Sequence, residues 1–224
     1  MNTSFIEFLA KNNAIRFGEF ILKSGRTSPY FIDMGILSTG ARVSELGRFY
    51  AQKISEKYQS NFDIVFGPAY KAIPIAISTS IALSNMGINK KWLFDRKEVK
   101  LHGADANTMF VGNYGIDEGS KVVIVDDVVT NGQTKLDAIN RLEKSLKGEV
   151  VGIVIAVDRM ELGRKLTATE ELAQMTGVPV HSIVTIDEIF THLKNTPIEG
   201  KTLVNEKTMD EYKKYMTKFG SRKW

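Results

Sequence analysis

Two adjacent carboxylates and a short polar turn follow a strongly apolar segment, and these groups have the types and spacing to do chemistry. The stretch from Lys121 to Thr134 reads KVVIVDDVVTNGQT and places Asp126 next to Asp127. Carboxylates accept hydrogen bonds from sugar hydroxyls and repel bare phosphate, whereas free backbone N–H groups bind phosphate. This order of groups predicts a sugar phosphate as the ligand. The competing interpretation is a strand that ends in a solvated pair of aspartates.

The sequence on either side of the two aspartates predicts a strand before them and a helix after them. The run Val122–Val125 is apolar and mostly β-branched, which is typical of a buried parallel strand. Leu136, Ile139 and Leu142 then recur at helical spacing, so we expect a helix to begin around 132–134. Its free N–H groups and the positive end of its dipole would point at the turn. Neither a Walker loop nor a Rossmann glycine pattern is present.

Composition restricts the class of protein. With 224 residues, 43% hydrophobic and 25% charged, the chain is expected to form one soluble domain, 1–224. The amino terminus, MNTSFIEFLAKNN, has Glu7 inside its apolar stretch and predicts a short amphipathic helix instead of a signal peptide. No apolar run is long enough to span a bilayer. The absence of cysteine excludes disulfides and thiolate metal sites and favours a cytoplasmic location.

The positive net charge raises the question of nucleic-acid binding. The net charge is +4 and the isoelectric point is about 9.1. Acidic and basic residues alternate along most of the chain, and no basic helix stripe, aromatic RNA-binding signature or zinc finger is present. We therefore expect no nucleic-acid partner and no membrane partner. A small polyanionic substrate would use the same positive field.

Apolar periodicity predicts an alternation of strands and helices after an amino-terminal hairpin. The expected helices are one around Phe5–Leu9, then Gly40–Tyr58, one carrying Ile73, Ile77 and Ile81, one after Gly132, then Thr167–Gln174, Ile186–Leu193 and Asn205–Phe219. The expected strands are Ile15–Leu22, Pro29–Met34, Phe62–Phe66, Trp92–Phe94, Val122–Val125, Val150–Val157 and Val180–Val184. This pattern predicts an α/β fold with a doubly wound, mainly parallel sheet, an amino-terminal cap over about 1–38 and a carboxyl-terminal helix over about 205–219.

The segments that follow the predicted strands carry most of the charged and polar residues of interest. In a doubly wound sheet, ligands bind beyond the carboxyl ends of the strands. That rule brings four segments to one edge: Gly67–Lys71, Arg96–His102, Asp126–Thr134 and Asp158–Arg159. We therefore expect the binding site at this edge.

The segment around the two aspartates resembles the phosphoribosyl pyrophosphate motif of the type I phosphoribosyltransferases. Four further blocks resemble the orotate phosphoribosyltransferases: FGEF…LKSGRTSPYF (Phe17–Phe31), FGPAYKAIPIA (Phe66–Ala76), RKEVKLHG (Arg96–Gly103) and DRMELGR (Asp158–Arg164). The resemblance implies transfer of ribose 5-phosphate from phosphoribosyl pyrophosphate to orotate, in the biosynthesis of uridine 5′-phosphate. It also implies Mg²⁺ as cofactor, held by substrate and water without a direct protein ligand.

The resemblance also implies roles for individual residues. For phosphoribosyl pyrophosphate it implies binding by Lys23, Tyr70, Lys71, Arg96, Lys97, Lys100, His102, Asp126, Asp127, Val128, Val129, Thr130, Asn131, Gly132, Gln133 and Thr134. For orotate it implies contacts from Phe31, Ile32, Thr130 and Arg159, and a guanidinium has the right shape for a carboxylate. Lys23, Lys100, Asp126 and Asp127 are the implied catalytic residues.

The segment Arg96–His102 carries four cationic or titratable side chains and only Glu98 opposes them. Taken alone, the segment is as consistent with a solvated loop as with a functional one. The resemblance implies a lid that reaches the active site of the neighbouring subunit in a homodimer. Here the chain departs from the family pattern, because Ala104 follows His102 and Gly103 where the family usually has glutamate.

Three other functions stay open at this point. A purine phosphoribosyltransferase would leave the hairpin around Lys23 and the presence of Arg159 unexplained. A regulator of the same fold would bind nucleotide or RNA without catalysis, and the lid cations argue against it. The orotate half of a fusion with a decarboxylase is a third possibility, and 224 residues leave no room for a second barrel.

Overall fold

The central sheet has six strands, and the order of these strands confirms the doubly wound α/β architecture. The computed structural model describes residues 1–22, 25–98, 109–112, 116–130 and 132–221. The strands are β1 (Ile15–Ile21), β2 (Thr27–Ile32), β3 (Ile64–Phe66), β4 (Lys91–Asp95), β5 (Phe110–Val111), β6 (Lys121–Asp126), β7 (Glu149–Asp158) and β8 (Val180–Thr185). The helices are α1 (Thr3–Lys11), α2 (Gly40–Tyr58), α3 (Ala72–Asn85), α4 (Gln133–Leu146), α5 (Ala168–Thr176), α6 (Ile186–Asn195) and α7 (Glu206–Phe219).

The central sheet has the order β5-β4-β3-β6-β7-β8, and only the β4–β5 pair is antiparallel. Alternate residues of β6 enter two different cores, as the two-residue period of a strand requires. Val123 and Val125 pack with α2 and α6, whereas Val122 and Ile124 pack with α4. Burial on both faces explains why the strands read as continuous apolar runs.

The hairpin of β1 and β2 forms a separate two-stranded sheet beside the central one. Its aromatic side chains attach it to the rest of the fold, with the ring centroids of Phe17 and Tyr30 lying 5.2 and 5.9 Å from that of Phe190 in α6. Helix α7 packs on β2 through Tyr215, whose ring centroid is 6.0 Å from that of Tyr30. The hairpin and α7 therefore form one aromatic layer.

Helices α2 and α3 approach each other closely at Gly47. A Cβ atom there would lie 2.5 Å from the backbone of Ser78, so only glycine fits. The buried face of α3 consists of small residues together with Ile75 and Leu83. Of the isoleucines whose spacing predicted the helix, Ile73 and Ile77 are half-buried and Ile81 is 58% exposed, because the smaller side chains allow the helices to come close.

Two further details differ from the sequence-based expectations. Strand β3 begins at Ile64 instead of Phe62, and the short strand β5 was not expected. Helix α5 begins with a capping box, in which Thr167 and Glu170 exchange hydrogen bonds. None of the helices in the described ranges is long and apolar enough to cross a membrane.

Candidate active site

The acidic pair lies at the carboxyl end of β6 and is fixed through its backbone from two sides. The hydroxyl of Tyr50 in α2 donates to the carbonyl of Asp126 at 2.7 Å. The backbone N–H groups of Ala156 and Val157 in β7 donate to the carbonyl of Asp127 at 3.0 and 3.2 Å. These bonds fix the backbone of both aspartates at the end of the sheet and thereby limit the directions in which their side chains can extend.

Lys135, which the sequence analysis did not single out, is a buried partner of this pair. Its Nζ lies 2.5 Å from Oδ2 of Asp126 and donates to the carbonyl of Val128 at 2.6 Å. A cation in the first turn of a helix is disfavoured by the helix dipole, and that position is the signal in the sequence which points to a nearby anion. Lys135 balances the charge of Asp126 and ties α4 to the turn.

Asp127 is the carboxylate that faces a ligand more freely. Its Oδ1 accepts the N–H of Val128 at 2.7 Å, which leaves Oδ2 for a ligand. Burial raises the pKa of Asp127, and the neighbouring Asp126 raises it further. The positive charges of Lys135 and Lys71 oppose this rise. Lys71 is therefore close enough to share an anionic ligand with Asp127.

The turn between β6 and α4 leads into the amino terminus of a helix, a position where anions bind in proteins. Gly132 stands at the amino terminus of α4 with φ of +71°, and no side chain in the described ranges caps it. Val129 is buried and anchors the turn, whereas Thr130, Gln133 and Thr134 are exposed. The positive end of the dipole of this 14-residue helix therefore faces the turn, which suits the turn to a phosphate.

The turn after β3 is held by Asp95 at the end of β4. Oδ1 of Asp95 accepts the N–H of Ala69 at 2.7 Å, and its Oδ2 lies 2.6 Å from Nη2 of Arg141 in α4. At Gly67 a Cβ atom would lie 2.3 Å from the carbonyl oxygen of Ala72, so the turn needs glycine there. This arrangement ties the turn, through Asp95, to Arg141 in the second half of α4.

Four of the residues predicted to bind phosphoribosyl pyrophosphate lie in or near this turn. Tyr70 is 64% exposed, and Nζ of Lys97 lies 4.7 Å from its ring centroid. Lys71 reaches Asp33, beyond the end of β2, with Nζ 3.6 Å from Oδ1. Arg96 is half-buried and its N–H donates to the carbonyl of Met109. Lys71, Arg96 and Lys97 thus give the region around the turn after β3 a positive charge.

Arg159 lies directly after β7, two residues beyond Val157, and its guanidinium is held by its neighbours. Its Nε and Nη2 donate to Oε1 of Glu161 at 2.9 and 2.7 Å, and its Cζ lies 5.1 Å from the ring centroid of Tyr30. Those two bonds leave further guanidinium donors for a ligand. The sequence analysis missed Glu161, although its position two residues after an arginine was a signal for an ion pair.

A cavity of about 450 Å³ lies between the turn that connects β6 to α4 and the loop after β7. Its walls include Arg26, Thr130, Gly132 and Glu161. Phe31 and Ile32 are half-buried in β2, next to Tyr30. Of the predicted orotate-contacting residues, Thr130 lines this cavity, whereas Phe31, Ile32 and Arg159 are not among its walls. Lys23, Lys100, His102 and Asn131 lie outside the described residues.

Comparison with known proteins identifies the family to which this arrangement belongs. The sequence profile of the phosphoribosyl transferase domain matches residues 35–171. The chain is 40% identical over 218 residues to orotate phosphoribosyltransferase of Clostridium acetobutylicum, covering 96% of each chain. The chain belongs to the orotate phosphoribosyltransferase family.

Solved structures of orotate phosphoribosyltransferases have the same fold. The enzyme of Francisella tularensis superposes with a TM-score of 0.81 at 36% identity, covering 97% of this chain and 100% of that one. Adenine phosphoribosyltransferase of Thermoanaerobacter pseudethanolicus gives a TM-score of 0.52 at 16% identity, a likeness that concerns the fold alone. The sequence-based identification of the family is confirmed.

Proposed function

We infer that the chain transfers ribose 5-phosphate from phosphoribosyl pyrophosphate to N1 of orotate, giving orotidine 5′-phosphate and pyrophosphate. The observation that carries this inference is Arg159, a guanidinium with further donors that directly follows β7, the strand next to the one that carries the acidic pair. Among the pyrimidine and purine bases that such enzymes use, orotate has a carboxylate, which a guanidinium matches. The identity of 40% across nearly the whole length of a curated relative supports the same substrate.

The chemistry explains why the site contains no obvious nucleophile. As pyrophosphate departs, C1 of ribose becomes cation-like because the ring oxygen shares the positive charge. The protein needs to position the reactants, neutralise the leaving group and exclude water. We propose that Asp126 and Asp127 accept the ribose hydroxyls and that the backbone of 128–134 holds the 5′-phosphate.

The remaining roles are assigned to the sides of this centre. Tyr70, Lys71, Arg96 and Lys97, with Lys23, Lys100 and His102, bind and neutralise pyrophosphate. The backbone of Phe31 and Ile32, the side chain of Thr130 and the guanidinium of Arg159 hold the orotate ring. Two observations support this division. Phe31 and Ile32 are half-buried at the end of β2, and Thr130 forms part of the wall of the cavity.

We propose Mg²⁺ as the cofactor, bound through substrate oxygens and water. Within the described ranges, no three His, Cys, Asp or Glu side chains are grouped as a metal site. Asp126 is already paired with Lys135, whereas the free oxygen of Asp127 suits a hydrated ion, since magnesium keeps several waters. When bound, Mg²⁺ would offset the negative charge of pyrophosphate.

We further propose that 1–224 act as one domain in a cytoplasmic homodimer whose lid, Arg96–His102, completes the neighbouring site. An apolar outer surface supports the dimer, since Ile81 of α3 is 58% exposed and Trp92 of β4 is 36% exposed. Arg96 directly follows the five-residue strand β4 and lies about 13 Å along the chain from Trp92, so a partner on this surface would be close to the lid. The lack of cysteine is in keeping with a reducing compartment.

An absorbance assay of orotate consumption distinguishes the enzyme from a non-catalytic regulator of the same fold. Purified protein should consume orotate when both phosphoribosyl pyrophosphate and Mg²⁺ are supplied, and a chelator should stop the reaction. A regulator would bind phosphoribosyl pyrophosphate, as calorimetry would detect, and leave orotate unchanged. That second result would overturn the proposed activity.

A further inference from the structure

The carboxyl-terminal helix α7 reaches the loop that carries Arg159. The hydroxyl of Tyr215 in α7 donates to Oε1 of Glu161 at 2.8 Å. The same oxygen accepts Nε and Nη2 of Arg159 at 2.9 and 2.7 Å and the hydroxyl of Tyr30 at 3.1 Å. Donors from the hairpin, the loop after β7 and α7 therefore meet at one carboxylate oxygen.

The end of α7 is also fastened to this loop through the backbone. The N–H of Leu162 donates to the carbonyl of Phe219 at 2.8 Å, and the N–H of Ser221 donates to the carbonyl of Met160 at 2.9 Å. These bonds flank Glu161 on both sides. The hydroxyl of Tyr215 is thus held in register with the carboxylate that it contacts.

The second oxygen of Glu161 faces another cation. Nη1 of Arg26 lies 3.8 Å from Oε2 of Glu161, and Cζ of Arg26 lies 4.9 Å from the ring centroid of Phe219 in α7. Glu161 thus stands between two guanidinium groups, Arg159 and Arg26, which together exceed its charge. An anionic group of a ligand would balance this excess.

We propose that Tyr215 is a positioning residue for the base, because through Glu161 it sets which donors of Arg159 face the carboxylate of orotate. This inference rests on the proposed function. A carboxylate next to an arginine tends to form a two-oxygen fork with it. In this structure both hydroxyls occupy Oε1 and Oε2 is turned to Arg26, so Arg159 meets a single oxygen. Without the hydroxyl of Tyr215, Glu161 can turn and take up donors that would otherwise bind orotate.

The hydroxyl keeps its proton under working conditions. Burial, and then Glu161, raises the pKa of Tyr215 to about 12. Tyr215 therefore remains a donor to Glu161 across the neutral range, and its effect on Arg159 does not depend on pH there.

Tyr215→Phe removes the hydroxyl and keeps the ring, and Tyr212→Phe is the matched control on the same helix. Tyr212 is buried, stacks on Phe190 and donates to Asp187 instead of Glu161. We expect Tyr215→Phe to raise the KM for orotate roughly three- to tenfold, since the lost hydrogen bond is one step from the ligand. The KM for phosphoribosyl pyrophosphate and kcat should stay within about twofold of wild type, as should all three constants of Tyr212→Phe.

Nucleotide binding separates positioning from a general loosening of the fold. Orotidine 5′-phosphate has the carboxylate and uridine 5′-phosphate lacks it. Measuring the affinity for each nucleotide by calorimetry therefore isolates the contribution of the carboxylate. Tyr215→Phe should lower the affinity for orotidine 5′-phosphate and leave the affinity for uridine 5′-phosphate unchanged. Equal weakening of both nucleotides, an unchanged KM for orotate, or the same effect from Tyr212→Phe would overturn the inference. Wild-type protein that consumes no orotate would instead contradict the proposed function.

Discussion

At the scale of single residues, we propose that Arg159 decides which base is accepted. Replacement by alanine should raise the KM for orotate about ten- to a hundredfold, because a charge-assisted contact contributes about 1.5–3 kcal/mol. The KM for phosphoribosyl pyrophosphate should change far less, since the proposed site for that substrate is the acidic pair and the turn after it. Steady-state kinetics with each substrate varied in turn measures both constants.

Lys165→Ala is the control for Arg159→Ala. Lys165 is an exposed cation in the same loop, so its loss changes the local charge by the same amount without touching Glu161. Its kinetic constants should match those of wild type. An Arg159→Ala enzyme with an unchanged KM for orotate would mean that another group holds the carboxylate.

Asp127 links activity to stability at the same scale. Burial and then Asp126 raise its pKa, so this carboxyl stabilises the fold while it is protonated. That contribution is fully present below the unfolded pKa of about 3.9 and is lost as pH rises through the higher folded value. Asp127→Asn keeps an acceptor for the N–H of Val128 and cannot ionise. It should therefore be inactive, and at neutral pH it should unfold at a higher temperature than wild type.

The pH dependence of this difference is the check. Thermal unfolding measured between about pH 4 and 8 should show the advantage of Asp127→Asn shrinking as pH falls, because both side chains are then neutral. Asp210→Asn, at an exposed position of α7, should show no such trend. A variant less stable than wild type at neutral pH would show that the ionised carboxylate stabilises the fold.

At the scale of elements, the turn between β6 and α4 depends on the left-handed backbone of Gly132. Gly177 ends α5 with nearly the same φ, +70° against +71°, and a Cβ atom there would meet nothing within 4 Å. Alanine at either position should reduce the free energy of unfolding by about 1–2 kcal/mol. Only Gly132→Ala should also raise the KM for phosphoribosyl pyrophosphate, since its N–H lies in the phosphate turn. Denaturant unfolding and kinetics on both variants test this, and equal KM values would place the phosphate elsewhere.

The elements were predictable where local periodicity and packing agree. The apolar run before Asp126 and the helical spacing after Gly132 both come from short stretches, so the strand, turn and helix of the edge could be read in order. The buried face of α3 could not, because it depends on how closely Gly47 lets α2 approach. A count of large apolar residues favours Ile73, Ile77 and Ile81, whereas close packing favours the small ones.

The parts of the site that the sequence did not reveal are long-range contacts between side chains. Glu161 meets Tyr30 across 131 positions and Tyr215 across 54, and no local pattern encodes such pairs. Lys135 lies only seven positions from Val128, yet the burial of Lys135 depends on how α4 packs against the sheet. The roles of Lys23, Lys100 and His102 stay predictions.

At the scale of the whole molecule, the proposal that the lid serves the neighbouring subunit predicts that two inactive variants restore activity together. Lys100→Ala should lower kcat steeply and leave orotate affinity near normal, because a lysine that meets departing pyrophosphate acts chiefly in the transition state. Asp127→Asn fails within its own subunit. A heterodimer of the two would have one site with both defects and one with neither, so activity should return towards half that of a wild-type dimer.

Subunit exchange, verified by native mass spectrometry, is the control for that experiment. Mixing each variant with itself should give no recovery under the same conditions. Verified heterodimers without activity would show that the lid serves its own subunit.

The most direct test of the account is a competition among bases. Wild-type protein is given phosphoribosyl pyrophosphate, Mg²⁺ and equal concentrations of orotate, uracil, adenine and hypoxanthine, and the nucleotides formed are identified by mass. With Arg159 directly after β7, the strand next to the one that carries the acidic pair, orotidine 5′-phosphate should be the dominant product, and omission of orotate should leave the other bases largely unused. A purine nucleotide formed in place of orotidine 5′-phosphate would contradict the account.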